Sequence, residues 1–168
     1  MRTILFLFAV LIFGLVSCNN ASSDRGVEIN GVRWATRNVE TSGTFARNPE
    51  SAGGFFTFEE AQNACPRGWR LPTADELRSL RDAAGGEWTA RGGVNGRTFG
   101  IAPYQIFLPA AGARNTDGTL IDVGSFGYYW SSSPTSATSA MALRIWQGIS
   151  RVYHDFRAYG CSVRCVAE

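Results

Sequence analysis

The feature that most limits the fold of this chain is a change of sequence pattern at Gly86. Before it, two helix starts have the capping-box pattern, Thr57 with Glu60 and Thr73 with Glu76. After it, glycine, aromatic and β-branched residues dominate, and no helical periodicity survives. The sequence therefore predicts two short helices followed by a long half of strands and loops, an α+β fold with the helices beside antiparallel sheets.

Turn signals divide the rest of the chain into strands. The stretch VEINGVRWA alternates on both sides of the Asn-Gly pair at residues 30–31, which predicts a hairpin. Further strands are predicted in IFLPAAGAR and TLIDVGSFGYYWSSS, around the turn NTDG, and in ALRIWQGISRVYHDF and CSVRCV at the end. The large residues Trp69, Leu71, Tyr129 and Trp130 are expected to fill the core.

The stretch YHDF, at residues 153–156, has no periodicity. A buried strand would leave His154 and Asp155 without evident partners, and an ordinary loop would use glycine, proline, asparagine and serine. Large and varied side chains in a loop are typical of a contact surface. We therefore predict that this stretch lies in a loop and contacts a ligand. The alternative is a structural loop whose aromatic rings pack on neighbouring residues.

The start of the chain predicts export and a lipid anchor. A positive residue precedes an apolar run from residue 4 to 16, which is a secretory signal too short to span a membrane. The run ends in LVSC, which resembles a bacterial lipobox, where cleavage frees Cys18 for lipid attachment. The alternative is an ordinary signal peptide with Cys18 as a bystander. The predicted organisation is a signal peptide (residues 1–17), a polar tether (18–26) and one folded domain (27–168).

The anchor would hold the protein in the cell envelope. Asn19, rather than an aspartate, follows Cys18, which fits sorting to the outer membrane. The chain has 16 basic and 14 acidic residues without a charge block, so nothing favours nucleic acid as a partner. The predicted partners are the membrane, reached through the lipid, and a protein or glycan ligand.

Three further cysteines lie in a compartment that allows disulfides. Cys161 and Cys165 are four residues apart, so in an extended strand they would lie roughly 13 Å from each other and could not bond directly. Either could pair with Cys65. We favour a Cys65–Cys165 disulfide, which would tie the middle of the chain to its last strand and leave Cys161 unpaired.

Four groups of residues together resemble one known domain. They are NGVRWATRNV near the start, CPRGWRLPTADEL in the middle, IFLPAAGARNTDGTL after it, and GYYWSSS with SVRCV at the end. In this order they resemble the Fibrobacter succinogenes major paralogous domain, common in exported lipoproteins of Bacteroidetes, over residues 31–166. WRLPT is also similar to the formylglycine-generating enzymes. The resemblance implies a C-type lectin-like fold.

The resemblance implies neither a metal site nor an enzyme on the residues present. Lectins of this fold that hold sugar through calcium use Glu-Pro-Asn or Gln-Pro-Asp with Trp-Asn-Asp, and none of these occurs here. Asp117 and Asp122 flank a turn and are predicted to be solvated. Formylglycine-generating enzymes bind copper through two cysteines, a role open to Cys161 only if Cys165 is free. We predict no cofactor, and His154 is expected to be a contact residue rather than a base.

The C-terminal stretch is similar in pattern to the targets of diversity-generating retroelements, which vary residues by miscopying adenines of a template. The residues here that such copying can produce are Tyr153, His154, Asp155, Phe156, Tyr159 and Cys161. On this reading Cys161 is a chance product of variation. Met141, Trp146 and Gln147 do not fit the codons involved, so the pattern does not set an upstream limit.

We therefore predict a ligand-binding module with a variable recognition face near its C-terminus. The predicted face comprises Ser139, Met141, Arg144, Trp146, Gln147, Ser150, Tyr153, His154, Asp155, Phe156, Tyr159 and Cys161. Its anchors are expected to be Trp146, Tyr153, Phe156 and Tyr159, because aromatic rings offer large contact area at low entropic cost. The alternatives are a structural or surface-assembly lipoprotein without a dedicated ligand and, less favoured, an oxidase related to the formylglycine-generating enzymes.

Overall fold

The computed structural model describes residues 23–168. The predicted signal peptide, the lipidation site Cys18 and most of the tether lie outside the described residues. Within them the chain forms fourteen strands and two helices, α1 (Phe58–Ala61) and α2 (Ala74–Arg81). No helix in residues 23–168 has the length and apolar character needed to cross a membrane.

The strands of this part of the chain form five small antiparallel sheets. The first has the spatial order β1 (Val27–Ile29), β2 (Val32–Trp34), β14 (Val166–Ala167), β5 (Trp69–Arg70). The others are β3 (Val39–Thr41) with β4 (Thr44–Phe45), β6 (Trp88–Arg91) with β7 (Val94–Ile101) and β8 (Tyr104–Pro109), β9 (Ala113–Arg114) with β10 (Leu120–Ile121), and β11 (Phe126–Pro134) with β12 (Ser139–Trp146) and β13 (Ile149–Phe156).

The predicted fold class, an α+β C-type lectin-like domain, is wrong. The two helices have only four and eight residues, whereas strands occupy much of the described chain, so the fold is largely β. The capping boxes mark helix starts correctly, but the helices that follow end within one and about two turns. Helix starts are encoded locally, whereas helix length depends on how much apolar surface the rest of the fold covers.

The local sequence signals before Gly86 are confirmed. Both helices begin with a reciprocal capping box, in which the threonine side chain accepts from the backbone of Glu60 or Glu76. The Asn-Gly pair joins β1 to β2, and Asn30 and Gly31 have φ of 50° and 77°. Both residues therefore occupy the left-handed region that a tight hairpin turn of this type requires.

The Cys65–Cys165 disulfide is confirmed, with a Cα–Cα distance of 6.0 Å. Cys161 is free and buried. The predicted strand in CSVRCV is not continuous, because Cys161 and Ser162 form isolated bridges, residues 163–165 pair with no strand, and regular pairing begins at β14. The disulfide therefore ties the region after α1 to a buried, irregular segment.

Arg164 is the most unusual residue of that buried segment. It is 1% exposed, and its guanidinium donates to Asn38 Oδ1 at 2.9 Å and to the carbonyls of Ala35 and Phe107, both at 3.0 Å. Burial lowers the pKa of Arg164 to about 10, which still leaves the side chain charged at neutral pH. One cation thus links the N-terminal region, β8 and the C-terminal segment.

The sheet of β11, β12 and β13 separates two buried clusters. Tyr129 and Leu143, which are cross-strand partners, belong to a cluster with Leu77 of α2. Trp130 and Ala142, the next pair along, belong to a cluster with α1 and the free cysteine. Successive residues of a strand point to opposite faces, so this sheet is packed on both sides over part of its length. The expected core residues Leu71, Tyr129 and Trp130 are buried, and Trp69 is half-buried.

Candidate functional site

Residues 153–156 lie in β13, which agrees with the strand predicted in ALRIWQGISRVYHDF and not with the loop inferred from the missing periodicity. This strand is an edge of its sheet and pairs with β12 in continuous register from Trp146 opposite Ile149 to Ser139 opposite Phe156. An edge strand is covered less completely than a central one, so its two faces do not show a simple apolar and polar alternation. The missing periodicity of YHDF reflects this partial cover.

Seven side chains enclose a cleft at this edge, which we call the aromatic cleft. They are Ser139, Arg144, Tyr153, His154, Asp155, Phe156 and Tyr159, and the cleft has a volume of about 420 Å³. All seven belong to the predicted recognition face. Clefts of this size are large enough for a small ligand or for one or two units of a polymer.

An ion pair forms the floor of the aromatic cleft. Arg144 Nη2 lies 3.2 Å from Asp155 Oδ2, and Asp155 is only 8% exposed. The Arg144 guanidinium also lies 4.9 Å from the ring centre of Tyr128 and 5.7 Å from that of Tyr153. Asp155 can be buried because its charge has a partner, which answers the difficulty that the sequence raised.

The rim of the aromatic cleft consists of exposed rings. Tyr153 is 50% exposed and Phe156 is 58% exposed. Phe156 packs edge to face with Tyr159 at 5.7 Å, and Tyr153 stacks with the ring of His154 at 4.2 Å. The rings support one another, so part of their rotamer freedom is already lost before any ligand arrives.

A second cleft lies beside the first and shares two of its residues. It is lined by Arg144, Trp146, Arg151 and Tyr153, has a volume of about 290 Å³, and is called the arginine cleft below. Trp146 is held by Phe126, whose ring centre is 5.8 Å away. The two clefts together form a continuous surface on β12 and β13.

Three contributors to this surface were missed by sequence reasoning: Phe126, Tyr128 and Arg151. Tyr128 lies within the predicted strand TLIDVGSFGYYWSSS, where its hydroxyl donates to Asp122 Oδ2 at 2.6 Å and its ring supports Arg144. Burial and this hydrogen bond raise the pKa of Tyr128 well above its usual value, so it stays a neutral donor. Strand alternation around the buried Tyr129 was the signal that could have found Tyr128.

The remaining predicted residues lie away from the aromatic cleft or below the surface. Gln147 is exposed in the turn between β12 and β13, and Met141 and Ser150 are half-buried and line neither cleft. Cys161 is fully buried, so its prediction as a ligand contact does not agree with the structure. Burial also raises the pKa of the Cys161 thiol, which keeps the thiol neutral.

A copper oxidase of the kind considered above needs two free thiols, and residues 23–168 do not contain such a pair. Cys165 is bonded to Cys65, so Cys161 is left as a single buried thiol. No cluster of three or more His, Cys, Asp or Glu side chains that could hold a metal occurs within residues 23–168. Asp117 bonds only locally, to Thr119, whereas Asp122 supports Tyr128.

Comparison with known proteins gives one result. The model of the Fibrobacter succinogenes major domain matches residues 19–167, which is nearly the whole chain. No curated protein and no solved structure matches the sequence. The match agrees with the resemblance carried by the four groups of residues from NGVRWATRNV to SVRCV. The chain therefore belongs to the Fibrobacter succinogenes major domain family.

Proposed function

We propose that this chain is an exported, lipid-anchored ligand-binding protein of the cell envelope, held at the outer membrane through Cys18. The proposed recognition face consists of the aromatic and arginine clefts on β12 and β13. The observation that carries the proposal is that seven predicted contact residues, distributed between Ser139 and Tyr159, line one cleft. Side chains brought together in this way form a site rather than scattered surface positions.

The support beneath the face favours binding. β12 and β13 are paired along eight residues each, and the base of their sheet is packed on both sides by buried residues. A rigid base lowers the ordering cost of association, while exposed Tyr and Phe rings supply contact area. The face thus combines a fixed backbone with aromatic side chains that are at least half exposed at Tyr153 and Phe156.

We further propose that part of this face is diversified by a retroelement. Tyr153, His154 and Phe156 line the cleft and are exposed, so exchanging them would change recognition more than stability, whereas Tyr159 is half-buried and packs against the core. Cys161 is excluded from this set by its burial. Sequencing codons 135 to 165 and the flanking DNA from a natural population tests the proposal. Variation at Tyr153, His154, Phe156 and Tyr159 with an adenine-rich copy nearby supports it, and a uniform segment without a copy contradicts it.

The binding proposal is tested with the full chain, purified with its anchor in detergent, on arrays of glycans and short peptides. The test variant combines Tyr153→Ala with Phe156→Ala. The control combines Ile101→Ala with Tyr104→Ala, two apolar residues on the β7–β8 hairpin that are 65% and 72% exposed. We expect array signals that the test variant loses and the control keeps.

Two outcomes contradict this proposal. If the test variant keeps every signal of the unmodified chain, the face is not the site. If only the control loses signals, the hairpin is the contact surface instead. Thermal melts of both variants must match that of the unmodified chain, because a lost fold would also abolish binding.

A further inference from the structure

Two arginines face each other across the recognition sheet. Arg144 on β12 is directly opposite Arg151 on β13, and both line the arginine cleft. Like charges at directly opposed positions of an antiparallel pair repel each other and destabilise the pairing. Such a pair is therefore unfavourable for the free domain unless an anion neutralises it.

The chain itself neutralises only one of these charges. Arg144 pairs with Asp155, but no acidic side chain in residues 23–168 forms an ion pair with Arg151. In addition, Arg144 Nε is buried without a hydrogen-bond partner. The Arg151 guanidinium thus has donors that no acidic side chain of the described residues uses, and a guanidinium matches a carboxylate through two parallel hydrogen bonds. Arg144 Nε is enclosed by protein atoms, so only the exposed third of the Arg144 side chain can reach a ligand.

The residues that line the arginine cleft indicate which kind of molecule bears the anionic group. Among residues 23–168, the other two that line it are Trp146 and Tyr153, so two aromatic rings border two cations. The apolar C–H face of a sugar ring lies flat against an aromatic ring, and a volume of about 290 Å³ suits one such unit. Arg144 and Trp146 belong to the central strand, so the cleft lies over the face of the sheet rather than along the edge where a peptide strand would pair.

We infer that the arginine cleft is an anion subsite of the recognition face, which binds the carboxylate of a uronic acid unit in an acidic glycan. Arg151 with Arg144 holds the carboxylate, and Trp146 with Tyr153 flanks the sugar ring. This inference rests on the proposed binding function. It adds a ligand class that neither the family match nor the aromatic cleft provides.

The inference is tested by isothermal titration calorimetry of the full chain in detergent with tetragalacturonate. The comparison ligand is the fully methyl-esterified tetramer, which removes the charges and keeps the sugar rings. We expect the acid to bind at least about tenfold more tightly than the ester, a preference that falls as salt is added. Arg151→Gln should remove most of that preference. Arg67→Gln, at an exposed arginine in a distant turn, should leave it unchanged.

Other results overturn the inference. Equal affinity for acid and ester, no measurable binding of either, or an Arg151→Gln variant with full preference would each remove the anion subsite. Tighter binding of tetraglutamate than of tetragalacturonate would assign the cleft to acidic peptides instead of glycans. Tyr153 lines both clefts, but the arrays also carry neutral glycans and peptides, so the proposed function can stand on those signals when this inference fails.

Discussion

Strand β13 and the segment 161–165 lie only four residues apart in the chain, yet they differ in how their side chains are held. In β13, Tyr153 and Phe156 are at least half exposed. In the segment, all five residues are buried, and Cys165 and Arg164 are tied by a disulfide and by three hydrogen bonds. The two stretches thus place a replaceable surface directly beside a part of the core that has specific partners.

The difference suggests how such a domain could vary its contacts and keep its fold. A residue whose neighbours are mainly solvent can be exchanged within about 0.5 kcal/mol, whereas a buried residue with specific partners cannot. If the contrast between the two regions is real, substitutions should have large effects in the segment and small effects in β13. The following experiments test this from the largest expected effect to the smallest.

The disulfide should give the largest effect. It joins residues 100 positions apart, so replacing Cys65 and Cys165 together by alanine releases a long loop in the unfolded chain. We expect the free energy of unfolding to fall by about 3–5 kcal/mol, measured by denaturant titration. A loss below about 1 kcal/mol would show that the segment is held by packing alone.

Thiol counting provides the control for that experiment. The chain with the proposed lipid on Cys18, unfolded without reductant, should react with one equivalent of a thiol reagent, at Cys161. The folded chain should react with none at pH 8, since burial both shields the Cys161 thiol and raises its pKa. Two or more reactive thiols in the unfolded, unreduced chain would contradict the disulfide.

Arg164 should have the next largest effect. Arg164→Met keeps much of the volume but leaves Asn38 Oδ1 and two buried carbonyls without their donor. We expect destabilisation of about 3 kcal/mol, because unsatisfied buried acceptors are expensive. Arg151→Met, in the exposed strand, is the matched control and should change the free energy of unfolding by less than about 0.5 kcal/mol. Equal losses in the two variants would remove the contrast.

The sequence predicted what depends on a few adjacent residues. Each capping box and the Asn-Gly hairpin are complete within four residues, and all three are present. The fold class was wrong because helix length is set by packing from distant segments. The hydrogen-bond partners of Arg164 lie 57 to 129 positions away in the chain, so no local sequence pattern predicts that Arg164 is buried.

The candidate site was predictable only in part for the same reason. The cleft residues cluster near the C-terminus, where unusual side chains are visible in the sequence. Phe126 and Tyr128 contribute to the surface because the register between β11 and β12 places them opposite Trp146 and Arg144. Arg151 contributes because it lies opposite Arg144. Register between strands is decided by the whole sheet and its two cores, so Phe126 and Arg151 could not be assigned to the surface from the sequence alone, whereas strand alternation around Tyr129 could have indicated Tyr128.

Two substitutions compare the two regions directly, because each places at one position the residue type that occupies the other. Cys161→Tyr places a large ring at a fully buried position, whereas Tyr153→Cys removes a half-exposed ring. We expect the first to lower the free energy of unfolding by about 1–3 kcal/mol through overpacking and the second by less than about 0.5 kcal/mol. Thermal melts check both. A tolerated Cys161→Tyr would return that position to the set of residues open to diversification.

The smallest difference between a variant and its control is expected at Asp155, the one buried residue of β13. Asp155→Asn removes the carboxylate that pairs with Arg144, but the Arg144 side chain is 33% exposed, so water can take over part of the interaction. The expected loss in the free energy of unfolding is therefore less than about 1 kcal/mol, against no measurable loss for Asp75→Asn, whose ion pair with Arg78 is exposed.

At the same time Asp155→Asn leaves two unneutralised arginines in the arginine cleft, so binding of tetragalacturonate should become tighter. A loss above about 2 kcal/mol would mean that β13 depends on a buried polar contact as strongly as the segment 161–165 does, and the recognition face would then be part of the core rather than a replaceable surface.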